Sequence, residues 1–223
     1  MTETRRGRPR TPLLSRESIV AATLQVIDSE GVAAVGMRSV ARALGVDAKS
    51  LYNHVDGKDG LLDAVAEHLL GGLVIPEPTG DARRDLHAVA EAFRERALAH
   101  PGAAPLVLTR QLSSLEGLAP VDAVLAVLLA AGAGPEESVH LLRMLLATLI
   151  GTLLREVSAA PTFGGDDGRR RGALEASGLT AVARTAPHLA EFDRAAEFEY
   201  TVDLAITAVL DRIDRQRSGS RSS

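Results

Sequence analysis

The stretch Met37-Arg38-Ser39-Val40-Ala41-Arg42-Ala43-Leu44-Gly45-Val46-Asp47-Ala48-Lys49-Ser50-Leu51-Tyr52-Asn53-His54-Val55 leaves this chain few ways to fold locally. Its pattern predicts two short helices, 37–44 and 48–55, crossing steeply around a tight turn. Val40, Leu44, Val46 and Leu51 are apolar where the two helices must share a core with a preceding one, and Ala41 is small at the closest approach. Gly45 falls at the corner, where a positive φ costs little only for glycine. Lys49, Ser50, Tyr52, Asn53 and His54 keep the second helix polar on its other side, the donor and acceptor set that a helix in a DNA major groove requires.

The rest of the chain predicts an all-α protein. Aromatic residues are 3% of the 223 and Trp is absent, so the core must come from Ala, Leu and Val, which favours close-packed helices. With no Cys, thiolate metal sites, disulfides and Cys nucleophiles are excluded. The N-terminus lacks an apolar stretch of the signal-peptide kind, and Arg143, Arg155 and Glu156 interrupt the longest apolar runs, so no membrane span and a cytoplasmic location are expected. The net charge of −4 is unevenly spread. Residues 1–60 hold nine Lys and Arg against seven Asp and Glu, whereas residues 61–223 hold sixteen against twenty-two. A basic end on an acidic body suits a protein that meets phosphate with one face.

Four organisational units follow from periodicity and breakers. Residues 1–14 read as a disordered basic arm and 15–75 as a helix-turn-helix domain. Residues 76–217 read as a helical bundle and 218–223 as a disordered tail, with the boundary at the Pro- and Gly-bearing stretch 76–80. Helices are predicted over 15–31, 37–44, 48–55, 58–71, 81–100, 103–111, 119–131, 136–159, 178–186 and 190–216, with a loop at 161–172. Asp47 would repel phosphate and is better placed to cap the second short helix. The Arg5–Arg10 string fits two readings, an arm entering an A·T-rich minor groove or a flexible tail adding non-specific affinity.

Helix 15–31 ending at Gly31, Met37-Arg38-Ser39-Val40-Ala41, Leu44-Gly45-Val46, and Leu51-Tyr52-Asn53-His54-Val55 followed by Lys58 and Leu61-Leu62 resemble the tetracycline-repressor (TetR) family of bacterial regulators. The resemblance is specific over about residues 15–70 and beyond that rests on helix order. It implies a homodimeric repressor that binds a double-stranded operator and is released by a small-molecule effector held in the C-terminal domain. By position it implies DNA contacts from Lys49, Ser50, Tyr52, Asn53 and His54 on the recognition helix. Lys49 and Asn53 suit base edges, and Tyr52 and His54 suit phosphates. Arg38, Ser39 and Lys58 open helices, where free amides favour phosphate. Ala48 departs from members that carry a polar reader there.

In the C-terminal part, apolar residues of helix 136–159 cover an arc of roughly 220°, about twice what one core contact needs. Helix 190–216 carries a second apolar stripe, Tyr200, Leu204 and Ala208. Surplus apolar surface on both predicts dimerisation through a four-helix interface. His87, His100, Arg110, Gln111, His140, Arg143, Thr148 and Thr152 are polar residues within apolar helices and so candidates for an effector pocket, although each alone also fits an ordinary core or surface role. No cofactor and no metal site is expected, and no enzyme motif is present. Two rival readings remain open at this point. Glu137-Ser138-Val139-His140 fits one half of a di-metal site, which needs a second copy, and a helical protein binding DNA without sequence preference would share the basic face.

Overall fold

The structure is a computed structural model that describes residues 14–109, 118–157 and 167–220. Eleven α-helices and one 3-10 turn, with no strand, are found among the described residues. Contacts between residues divide the chain into two compact units, Met1–Val65 and Ala66–Ser223. The sequence boundary at 75/76 follows a change in composition, whereas the contacts place 66–75 with the second unit.

In the first unit, α1 (Arg16–Glu30) starts on Ser15. Ser15 Oγ accepts from the Ser18 amide at 3.1 Å, and Ser18 Oγ accepts from the Ser15 amide at 2.9 Å, a reciprocal capping box. Ile19, Leu24 and Ile27 form its buried face, and the Thr23 hydroxyl, fully enclosed, donates to the Ile19 carbonyl at 2.7 Å. A 3-10 turn (Val32–Ala34) leads to α2 (Met37–Leu44). Gly45 ends α2 at φ 68°, and the Gly45 and Val46 amides return to the carbonyls of Arg42 and Ala41. This double bond closure requires the left-handed residue that glycine supplies. Next come α3 (Ala48–Leu51) and α4 (Gly57–Gly71), the latter counted with the second unit from Ala66 onward. The second short helix thus ends sooner than the expected 48–55. Residues 52–54 continue as a turn, with the His54 and Val55 amides both bonded to the Leu51 carbonyl.

The second unit holds α5 (Ala82–Ala99), α6 (Ala104–Thr109), α7 (Ala119–Ala130), α8 (Pro135–Val157), α9 (Asp167–Glu175), α10 (Thr180–Ala190) and α11 (Arg194–Ser220). Its core joins α5, α7, α8 and α11 through Leu86, Val89, Leu128, Leu141, Leu153 and Phe198, with further α11 residues at three- and four-residue spacing. Asp81 caps α5 by accepting from the Arg84 amide, and Pro135 opens α8, where a missing amide costs nothing.

Three expectations are corrected. Part of the loop expected at 161–172 is helix α9, whose Arg170 donates to the Ala190 carbonyl at 2.7 Å and so ties α9 to α10. The tail expected from 218 is helical as far as Ser220. Finally, α8 is by length and composition apolar enough to cross a membrane, despite Arg143, Arg155 and Glu156. It packs against the other core helices through Leu141, Leu142 and Leu153. The basic arm and the final residues 221–223 lie outside the described residues.

Candidate nucleic-acid interface and ligand cavity

In the first unit a sharp segregation of side chains surrounds the Gly45 corner. Val40 and Leu51 are completely buried, and Ala41 and Val55 nearly so. Leu44 and Val46 are half-buried. On the opposite side Lys49, Tyr52, Asn53 and His54 are exposed. Tyr52 stands out, because an aromatic ring 59% exposed forgoes burial that could have added to the core. The Asp47 carboxylate accepts from the Lys49 amide at 2.7 Å, so it caps α3 as its position suggested. With α3 only four residues long, that cap and the Leu51 anchor hold most of its geometry.

Ser50 is half-buried, and so is Ser39. Ser39 Oγ accepts from the Gly36 amide at 3.0 Å and lies 2.8 Å from the Ala34 carbonyl, so this hydroxyl braces the first turn of α2. Arg38 is exposed, as is Arg42 one turn further on. Arg42 was not among the expected contacts, although its i+4 spacing from Arg38 puts both on one helix face. Lys58 is exposed, and its ammonium donates to the Ala33 carbonyl at 3.3 Å, leaving two of three donors for other partners.

In the second unit, α5, α7, α8 and α11 enclose a cavity of about 60 Å³ within a hollow of about 570 Å³ that is continuous with solvent. The enclosed part is smaller than the roughly 300–1,000 Å³ usual for small-molecule sites, and the wider figure counts open solvent at its mouth. Phe93 and Val89 from α5, Val124 from α7, Leu142 and Leu149 from α8, and Ile206 from α11 are among the lining residues. Thr148 also lines it, with Oγ1 donating to the Met144 carbonyl at 2.9 Å. Of the other polar candidates, His140 and Arg143 are exposed and Thr152 is half-buried. Arg110 and Gln111 lie outside the described residues. His87 Nε2 is 3.3 Å from Asp203 Oδ1, which Arg83 also meets at 2.7 Å. His100 sits half-buried at the end of α5. The apolar wall carries no sequence signal of its own, because lining and core residues share one helical periodicity.

Glu137, half of the single metal-like pair, accepts from Arg212 Nε at 2.8 Å, which together with hydrogen bonding holds its carboxyl below the usual range. Among the described residues no cluster of three metal-ligating side chains occurs.

Comparison with known proteins gives a consistent result. Residues 19–65 match the bacterial regulatory proteins of the tetR family, and residues 76–206 match the tetracyclin repressor-like C-terminal domain. An HTH-type transcriptional regulator of Saccharopolyspora erythraea is 39% identical over 124 residues, 55% of this chain, and the match spans about half (52%) of that relative's length. The class A tetracycline repressor from transposon 1721 of Escherichia coli is 27% identical over 207 residues, 92% of each chain. The TetR-family protein ActR of Streptomyces coelicolor, in its complex with (S)-DNPA, superposes with a TM-score of 0.78 at 24% identity, covering 90% of this chain and 98% of that one, and so shares the fold.

Proposed function

The chain belongs to the TetR family of helix-turn-helix transcriptional regulators, and on that premise we propose that it is a cytoplasmic homodimeric repressor whose hold on its operator is released by a small molecule in the second unit. The observation that carries the DNA reading is the exposed polar side of α3 and its following turn over a fully buried Val40–Leu51 support. Lys49 and Asn53 read base edges, with Ser50 beside them. Tyr52, His54, Arg38, Ser39 and Lys58 position the unit on phosphates.

The dimer is proposed to form through α8 and α11. Less than a quarter of the apolar α8 stretch (22%) is buried within one chain, and on α11 Tyr200 and Leu204 are 69% and 57% exposed. Apolar area of that kind is stabilised by removal from water, at about 25 cal/mol per Å², and a second copy supplies the matching surface. Two copies then present two recognition segments to successive major grooves, about 34 Å apart. The effector reading rests on the four-helix hollow, and the ActR complex with (S)-DNPA is a precedent for a ligand-binding member of the fold.

Genome-wide mapping of DNA bound by the protein, followed by titration of one recovered site against random DNA at fixed salt, tests the regulator reading. Specific affinity at least about a thousandfold above non-specific is expected. Equal affinity for both would replace the proposal with non-specific DNA binding.

A further inference from the structure

We propose that the four-helix cavity selects an uncharged, largely apolar ligand whose polar anchor is a hydrogen-bond donor received by Thr148 Oγ1. This inference rests on the reading of the second unit as an effector domain. Among the described residues the lining is aliphatic and aromatic apart from Thr148, and it contains no ionisable side chain. A carboxylate or ammonium entering it would lose its water shell and meet no counter-charge, which costs several kcal/mol. Among the described lining residues a chelated metal ion would meet no carboxylate or imidazole for its open coordination positions.

The direction of the one polar contact follows from Thr148 itself. A hydroxyl has a single proton, and the Met144 carbonyl, 2.9 Å away, is placed to accept it. Oγ1 keeps lone-pair capacity. The second polarisable atom nearby, Met144 Sδ at 3.6 Å from Oγ1, is also an acceptor. The site thus offers lone pairs to a ligand hydroxyl or N–H, whereas a ligand carbonyl gains a donor only when the Thr148 hydroxyl turns away from Met144. Phe93 and Leu149 supply flat and aliphatic contact for a ring system.

The test uses the full chain and four probes: 1-naphthol, 1-methylnaphthalene, 1-naphthoate and magnesium–tetracycline, each titrated at neutral pH and read by ligand fluorescence or calorimetry. Naphthol is expected to bind roughly 2- to 10-fold tighter than its methyl analogue, the worth of one net hydrogen bond of about 0.5–1.5 kcal/mol. The Thr148→Val variant should erase that preference and keep methylnaphthalene binding. Naphthoate should bind at least roughly 100-fold more weakly than naphthol, as an uncompensated buried charge demands. Val121→Phe, which fills the hollow from α7, should remove naphthol binding in a protein of unchanged helical content. Tighter binding of naphthoate or magnesium–tetracycline than of naphthol, a preference that survives Thr148→Val, binding unaffected by Val121→Phe, or no binding by any probe would each overturn the inference. Operator affinity is measured in parallel on the same samples. Naphthol that binds in the expected pattern without altering DNA affinity upholds the ligand chemistry and refutes the effector reading. Loss of DNA binding on adding naphthoate alone does the reverse.

Discussion

Arg94 on α5 grips Glu156 on α8 through three hydrogen bonds: Nε to Oε1 at 3.0 Å, Nε to Oε2 at 3.1 Å, and Nη2 to Oε1 at 2.8 Å. The same guanidinium lies 4.7 Å from the centre of the Phe198 ring on α11. One cation thereby ties three core helices together, and the bond to Glu156 raises the pKa of Arg94 further. Glu156→Ala leaves that cation without its buried partner and should lower the unfolding free energy by about 2–4 kcal/mol, toward the lower end because the Arg94 side chain remains 17% exposed. The double variant Arg94→Met, Glu156→Leu should lose less than the single one, because the buried carboxylate and its guanidinium leave together and only the more exposed Glu91, 3.7 Å from Arg94, loses a cation. Urea unfolding measures both, and a single-variant loss below about 0.5 kcal/mol would place the pair among inert surface contacts.

Lys49 and Tyr52 can be removed without touching the core, since both side chains are exposed. Lys49→Ala and Tyr52→Ala should each weaken operator binding by about 1–3 kcal/mol, roughly 5- to 150-fold, with stability changed by no more than about 0.5 kcal/mol. Anisotropy titration and thermal melts check the two halves. Wild-type affinity in both variants would remove the turn after Gly45 from the DNA interface.

Asp47 separates capping from charge. As a negative group beside the proposed phosphate face, it should on charge alone hinder DNA binding. As the cap of a four-residue helix, it should be required for it. Asp47→Ala is expected to cost about 1 kcal/mol of stability and to weaken operator binding, while Asp47→Asn preserves the cap and tightens binding. Tighter binding by Asp47→Ala would mean that repulsion outweighs the cap.

Thr79 and Asp85 set a pH dependence. The Thr79 hydroxyl donates to Asp85 Oδ1 at 2.7 Å, the Thr79 amide at 2.8 Å, and the Gly80 amide reaches Oδ2 at 3.1 Å. These bonds, the side-chain one first, hold the Asp85 carboxyl below its ordinary value of 3.8. The folded state therefore favours the ionised form. Its contribution is complete above the ordinary carboxylate pKa and is lost as pH falls through the depressed folded value. Thr79→Val should be less stable than wild type at neutral pH, and the gap between their melting temperatures should narrow as the medium is acidified below that range. A gap independent of pH would contradict the assignment.

Leu204 tests the second copy. Leu204→Arg puts a charge in the middle of the exposed α11 stripe at a position more exposed than buried in the single chain. Sedimentation should show monomers in place of dimers and operator affinity should fall, with helical content intact. A dimer that survives the change would assign the interface to other helices.

The helix-turn-helix was legible in the sequence because its requirements are local. Gly45 at the corner, apolar Val40 and Leu51 on one side, and polar Lys49, Asn53 and His54 on the other are set within one or two helical turns, where spacing alone decides which side chains share a face. The same holds for Ser15 and Asp47, whose caps reach only two or three residues along the chain. The length of the recognition helix was less legible, because its end depends on how the Leu51 carbonyl is shared between the His54 and Val55 amides.

Local periodicity by itself determined that the ordered parts of this chain are helices, that a steep two-helix corner lies near its start, and that two of its long helices carry more apolar surface than one core contact uses. Only the tertiary structure decided that 167–175 is a helix braced by Arg170, that Arg94 and Glu156 meet across 62 positions, and that a small hollow opening to solvent is walled by apolar side chains with Thr148 as the polar point among the described residues. The physical reason is range. A helical turn is dictated by neighbours four residues apart, but whether a leucine fills a core or faces a cavity depends on which distant helix arrives opposite it, and a single sequence carries no local mark of that.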